Sequence, residues 1–269
     1  MVVFLTQRGL HLLKSQGREA SQLPRFWLQN RNLPSQATLD HEMQVLDVKA
    51  AFYAAVRTNS NIGIREFSTC PRLHQFRARK AGQFGDLVAV KPDGFLRLTN
   101  SFPKCEEHTF FLELDRSTET QETLALRLGS YLDHYKSGGF ARQHGAPASA
   151  YKQYAFRVLV VFKTAERRNN TVERLLGLNP PVLTQAWLST FDEVIADPLG
   201  SIWLRPLDYL AAVKDSSFDP SGKQKVGEYE RSSLREVFIE QNVIKRNLLS
   251  HAASLGSFTG GPRGNVRQS

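Results

Sequence analysis

Between residues 38 and 59, TLDHEMQVLDVKAAFYAAVRTN, apolar side chains recur at Leu39, Met43, Leu46, Ala50, Tyr53 and Val56. Spacings of three and four residues place them on one side of a helix, so the pattern predicts an amphipathic helix with this stripe buried and Thr38 as its cap. IREFST at 64–69 reads as a strand. DLVAV and GFLRL then flank Pro92-Asp93-Gly94, a turn sequence that predicts a hairpin between them. FFLELDR at 110–116 predicts a third strand. Side chains alternate along a strand, so Phe110, Leu112 and Leu114 share one face while Phe111, Glu113 and Asp115 share the other. Thr118 followed by Gln121 matches a capping box, and Leu124, Leu128, Tyr131, Leu132 and Tyr135 continue at helical spacing.

Residues 138–153 are rich in Gly, Ala and Ser and read as a loop, after which FRVLVVFKT is an uninterrupted apolar run of the kind buried on both faces in a central strand. Arg167 and Arg168 lie just past its carboxyl end, TVERLLGL predicts a short helix, and PVLTQAWLSTFDEVIAD reads as a strand turning into a helix near Thr190. This order predicts an α/β layer built around a mixed sheet. Outside it, residues 1–18 read as a short strand and a helical turn from Thr6 to Gly17, with a Gln-, Asn-, Ser- and Pro-rich connection behind them. Residues 229–249 predict a late helix carrying Leu234, Val237, Phe238, Ile244 and Leu248 on one side. The expected divisions are 1–37, 38–215, 216–250 and a polar, Gly-rich, disordered tail at 251–269.

Composition narrows the function classes. With 269 residues of which 41% are hydrophobic, the chain has material for one substantial core. No apolar run approaches the roughly 18–20 residues that a membrane-spanning helix needs. MVVFL is too short for a signal-peptide core, and the two cysteines, Cys70 and Cys105, form no disulfide framework or zinc motif. A reducing cytoplasm is therefore the expected location, without a membrane partner. The formal charge of +9 and a pI near 9.7 point to a polyanionic partner, most simply DNA. Nothing resembles a P-loop or a dinucleotide fingerprint, which leaves nucleotide hydrolysis and redox chemistry without support.

The chemistry worth weighing lies in the acids. Asp93 sits at a turn beside the strand that carries Glu113 and Asp115, and a hard cation such as Mg²⁺ wants one or two carboxylates with waters completing its shell. Taken singly, Pro-Asp-Gly is an ordinary turn sequence and the other two acids suit a solvated strand face. Taken together, an acid at a turn and two on the adjoining strand, between two helices, favour a site. Lys91 beside Pro92 and the Arg167-Arg168 pair are the candidate phosphate contacts, with a solvated strand residue as the alternative for Lys91.

The residues PDG and FFLELDR, in this order of elements, resemble the PD-(D/E)XK nuclease superfamily, whose core runs αβββαβ. The longer stretches FFLELDRSTETQETLALRLGSYLDHY, FRVLVVFKTAERR and LSTFDEVIADPLGSIWL resemble the replication-relaxation proteins of plasmids and mobile elements, over roughly residues 38–210. FLTQRGLHLLK resembles the end of the winged-helix domain that precedes the core in that family. The resemblance implies metal ligation by Asp93 and Glu113, with Asp115 as a third or water-mediated ligand, for Mg²⁺ or Mn²⁺. It departs in one place: where the superfamily has a lysine two residues after the acid, this chain has Asp115, followed by Arg116. An arginine stays protonated, so Arg116, or Arg127 supplied by the next helix, would orient groups or stabilise charge without acting as a base. The implied activity is a DNA endonuclease of plasmid or mobile-element replication or mobilisation that hydrolyses a phosphodiester with metal-bound water. The alternative is a DNA-binding replication or regulatory factor on the same fold without catalysis. Replication or mobilisation proteins and a second copy of the chain are the further partners that this reading allows.

Overall fold

The computed structural model describes residues 35–69, 74–79, 87–101, 105–117 and 119–210, together with Arg246 and Leu248. The chain divides into two compact units, 1–42 and 43–269. The winged-helix expectation, the connection at 21–34, Thr118 and the tail lie outside the described residues, as does nearly all of the late helix. Of the two residues described there, Arg246 forms an antiparallel bridge with Trp203, the two exchanging N–H···O bonds of 2.7 and 3.1 Å, and Leu248 stands in a turn.

Helix α1 spans Gln36–Arg57. Strands β1 (Ile62–Thr69), β2 (Phe76–Arg79), β3 (Leu87–Val90), β4 (Gly94–Asn100) and β5 (Glu106–Asp115) follow. Then come α2 (Gln121–Lys136), a short α3 (Gly139–Gln143), a 3₁₀ turn (Ala148–Gln153), β6 (Arg157–Phe162), α4 (Ala165–Leu176), β7 (Ala186–Thr190) and α5 (Phe191–Ala196). Five strands make one sheet in the order β1-β4-β5-β6-β7, and β2 and β3 make a separate two-stranded ribbon. The first two pairings of the large sheet are antiparallel and the last two parallel. The β1–β4 pairing slips by one residue between Ile64 and Glu66.

The expected hairpin is therefore corrected. Pro92-Asp93-Gly94 does not fold β3 back on β4; β3 pairs with β2, and β4 lies between β1 and β5. The turn carries the chain out of the ribbon and into the large sheet, and the Asp93 N–H donates to the Leu112 carbonyl at 2.9 Å. With the ribbon set aside, the three strands between α1 and α2 are β1, β4 and β5, where the sequence reading took the hairpin β3–β4 together with β5, and α3, β6, α4, β7 and α5 follow α2.

Each face of the sheet has its own core. Phe95, Phe111, Val158, Val160, Phe162 and Leu188 pack under α2 and α4. Leu96, Leu98, Phe110, Leu112, Leu159 and Trp187 pack against α1, α5 and Trp203. β6 is buried on both faces because a parallel strand in the middle of a layered sheet has no solvent side, which is why it is apolar throughout after Arg157; β5 is buried from Phe110 onwards, with Glu113 and Asp115 enclosed among its apolar residues. The stripe that α1 buries is also corrected. Val45, Val48 and Phe52 meet the sheet, whereas Met43, Leu46 and Tyr53, expected inside, are 40%, 46% and 45% exposed.

Helix starts follow local chemistry. The cap of α2 is Thr120, whose hydroxyl accepts from the Thr123 N–H at 3.1 Å. Thr164 caps α4 in the same way, and at α5 Thr190 and Glu193 complete a capping box at the expected place. The stretch expected as a loop at 138–153 contains α3 and the 3₁₀ turn.

Candidate functional site: an acid and arginine network on one face of the sheet

The alternation of β5 carries Phe111, Glu113 and Asp115 to the α2 side of the sheet, and both acids are buried, at 2% and 4% exposure. Arg127 and Tyr131 stand one turn apart on α2, so both reach the same strand residue. The Tyr131 hydroxyl donates to one Glu113 oxygen at 2.5 Å, and Arg127 donates to the other at 3.1 Å. The second amino group of Arg127 reaches Glu119 at 2.6 Å. Asp93 arrives from the turn before β4, and its carboxylate accepts the Leu114 N–H at 2.8 Å, beside Glu113 on the strand.

This packing governs the protonation of Glu113. Burial pushes its pKa up to about 8, the Asp93 charge adds to the rise, and the Arg127 cation and the Tyr131 hydrogen bond offset only part of it. The same burial, with the Glu113 charge, raises the Tyr131 phenol well above its usual range and keeps it a donor. Arg127 is held charged: Glu113 and Glu119 raise its pKa against the opposing, larger effect of burial.

Asp93 and Glu113 are thus brought into electrostatic contact across 20 positions of sequence, and Arg127 joins them. Asp115 is directed elsewhere. Arg167, in the first turn of α4, grips both of its oxygens, with Nη2–Oδ1 at 2.9 Å, and donates to the Glu119 carbonyl. Arg168 is buried and paired with Glu193 at 3.3 Å, bracing α4 against the cap of α5. Neither guanidinium of the expected phosphate pair is therefore presented bare to solvent. Arg116 lies at the end of β5 in a cleft of about 310 Å³ with Gln44, Leu114, Asp115, Lys163, Phe191 and Asp192. Lys91 is exposed at the end of the ribbon.

The chemistry of the donor set can be compared with the needs of a hard cation. Asp93 and Glu113 offer carboxylate oxygens whose mutual repulsion a divalent ion would relieve, and two carboxylates with waters satisfy magnesium. Asp115 does not add to them, because its oxygens are spent on Arg167. Among the described residues, no group of three or more His, Cys, Asp or Glu side chains is arranged to hold a metal. Sequence reading missed Glu119, which joins Arg127 to Arg167, and Lys163 in the cleft; a lone acid in a loop and a lysine after a strand give no pattern to find.

Fold and site together define a mixed α/β domain with a buried acid and arginine network between its sheet and the following helix. The model of the replication-relaxation family matches residues 1–148. That is more than half of the 269 residues, and the chain belongs to this family. The matched segment contains Asp93, Glu113, Asp115, Arg116 and Arg127 and ends before β6, while the resemblance read from sequence runs over roughly residues 38–210. No curated protein and no solved structure matches the chain significantly. Among the described residues no helix is long and apolar enough to cross a membrane.

Proposed function

We infer that this chain is a DNA-binding protein of plasmid or mobile-element replication or mobilisation, with a PD-(D/E)XK-like core in which Asp93 and Glu113 take one divalent cation for phosphodiester hydrolysis. The observation that supports this reading is the convergence of two carboxylates that lie far apart in sequence: Asp93 is held on the Leu114 N–H at 2.8 Å, next to the buried Glu113 on β5. The ion, when bound, supplies positive charge and an activated water. The chain's own residues do the rest: Tyr131 and Arg127 fix the Glu113 carboxyl, Asp93 is oriented by the Leu114 N–H, and Arg127 adds a permanent cation beside the acids. The motif position carries Asp115 in place of a lysine, and the guanidinium of Arg127 stays protonated and does not act as a base.

The test is plasmid nicking with Mg²⁺ or Mn²⁺. Glu113→Gln keeps the size and removes the charge, so cleavage is expected to fall roughly 100-fold or more while DNA binding is retained. Arg127→Lys, which keeps a cation but loses the second amino contact to Glu119, is expected to have the milder effect. Equal nicking by wild type and Glu113→Gln would place the activity elsewhere.

A second reading has its own observation. Arg127 is already paired with Glu113, and Arg167 with Asp115, as in a fold that has replaced catalysis by internal ion pairs. On that reading the protein is a DNA-binding replication or regulatory factor, and calorimetric titration of wild type with Mg²⁺ and Mn²⁺ gives no heat that depends on Asp93 and Glu113.

A further inference from the structure

The ribbon β2–β3 is an insertion in the order of the core strands, and its two faces differ. Register pairs Phe76 with Val90, Arg77 with Ala89, Ala78 with Val88 and Arg79 with Leu87. Alternation sends Phe76, Ala78 and Val90 inward, where they are buried. Phe76 packs edge-on to Tyr131 at 5.0 Å, stacks on His134 at 4.0 Å and touches Phe111 at 5.7 Å between ring centres. The Arg79 N–H is fixed by the Asp133 carboxylate at 3.1 Å. The ribbon is therefore seated on α2, against the tyrosine that holds Glu113. Its other face carries Arg77, Arg79, Leu87, Ala89 and Lys91, all exposed. Arg77 lies along the ribbon with its guanidinium on the Leu87 carbonyl at 3.3 Å. Among the described residues, no carboxylate forms an ion pair with Arg77, Arg79 or Lys91.

We propose that the outward face of this ribbon, through Arg77, Arg79 and Lys91, is the surface on which duplex DNA docks. The inference rests on the DNA reading above and gives it a location. Three cations on one face of a short ribbon, none of them ion-paired with a carboxylate among the described residues, are complementary to a polyanion. A two-stranded antiparallel ribbon has the width that the major groove admits, and guanidinium groups along it can meet phosphates on the groove's edge. Continuity with the acid pair is covalent: two residues after Lys91 the chain reaches Asp93, so a duplex held on the ribbon lies beside the site.

Binding of a fluorescein-labelled duplex, followed by anisotropy over a salt series in the presence of chelator, tests this apart from cleavage. Each phosphate contact contributes roughly 0.9 to the slope of log affinity against log salt. The triple variant Arg77→Ala/Arg79→Ala/Lys91→Ala is expected to lose between about two and three from that slope and to bind at least about tenfold more weakly at low salt. Arg79→Ala alone is expected to lose about one, which keeps the test available if the triple variant folds poorly. Lys136→Ala/Lys152→Ala, two exposed lysines off the ribbon, is expected to leave the slope as in wild type. A wild type that binds with a steep slope while the triple variant matches it overturns the ribbon and leaves the DNA reading standing. Absence of duplex binding by wild type at any salt overturns both. A ribbon-dependent preference for double-stranded RNA or anionic vesicles over DNA overturns duplex DNA as the occupant.

Discussion

His134 and Glu113 are buried on the same face of the sheet, and burial moves them in opposite senses. His134 stacks on Phe76 and faces Phe140 and Phe156 at 6.4 and 6.1 Å between ring centres, with its Nε2 lacking a hydrogen-bond partner. Burial lowers its pKa to about 4, with Arg142 adding to the fall against a hydrogen bond to Gln143 and the charge of Asp133. An unfolded chain takes up this proton near the ordinary 6.5, so the stability His134 confers is complete above pH 6.5 and is lost as pH falls towards 4. Glu113, raised from 4.5 to about 8, does the reverse: the folded protein keeps a proton that the unfolded chain releases, and stability is lost as pH rises from 4.5 to 8. Each slope amounts to about 1.4 kcal/mol per pH unit for one proton. In metal-free buffer the two oppose each other between about 4.5 and 6.5, and only the Glu113 slope remains from there to about 8. Urea unfolding across this range is expected to show His134→Phe more resistant to acid than wild type, and Glu113→Gln without the decline between pH 6.5 and 8. Curves that run parallel to wild type in both variants would mean that neither group is perturbed by the fold.

At the level of elements, α1 shows what periodicity can and cannot decide. The helix bears one apolar stripe at Met43, Leu46, Ala50 and Tyr53 and another at Val45, Val48 and Phe52. Spacing identifies both as helical, but only the sheet beneath, where Phe52 meets Phe67 edge-on at 5.7 Å, selects the second for burial. Phe52→Ala is accordingly expected to destabilise the domain by about 3–5 kcal/mol. Leu46→Gln, on the exposed stripe, should stay within about 0.5 kcal/mol, and thermal unfolding of the two variants ranks the stripes directly. The acid site divides along the same line. Glu113 and Asp115 could be read from the alternation of β5, a property of adjacent residues. Their partners Arg127, Tyr131 and Arg167 come from α2 and α4, and which arginine takes which acid is a consequence of packing that no local pattern encodes. The ribbon was hidden for a related reason: β3 and β4 flank a good turn, yet each has a better partner farther away.

On the scale of the whole described domain, Asp208 joins Arg246 to Arg205. Asp208, 3% exposed at its side chain, receives Arg205 at 2.8 Å and Arg246 at 2.7 Å, next to the bridge between Trp203 and Arg246. Hydrogen bonds from both arginines hold its pKa down against the larger, opposing effect of burial. Asp208→Asn would leave two guanidinium groups without their anion, and a loss of about 3–5 kcal/mol is expected in chemical unfolding. The one-residue slip between Ile64 and Glu66 has a wider consequence. β1 is the outer strand of the sheet, and there the slip interrupts the ladder and turns out Arg65, whose side chain is 64% exposed. At the opposite margin, Leu188 of β7 is met by Leu204. Neither margin is then a straight, uncharged row of amides onto which a strand of another molecule could add, which is the usual beginning of fibrous aggregation. A concentrated solution of the protein should stay clear on mild heating, and Arg65→Val, by removing the charge at the slip, should bring forward the temperature at which light scattering rises.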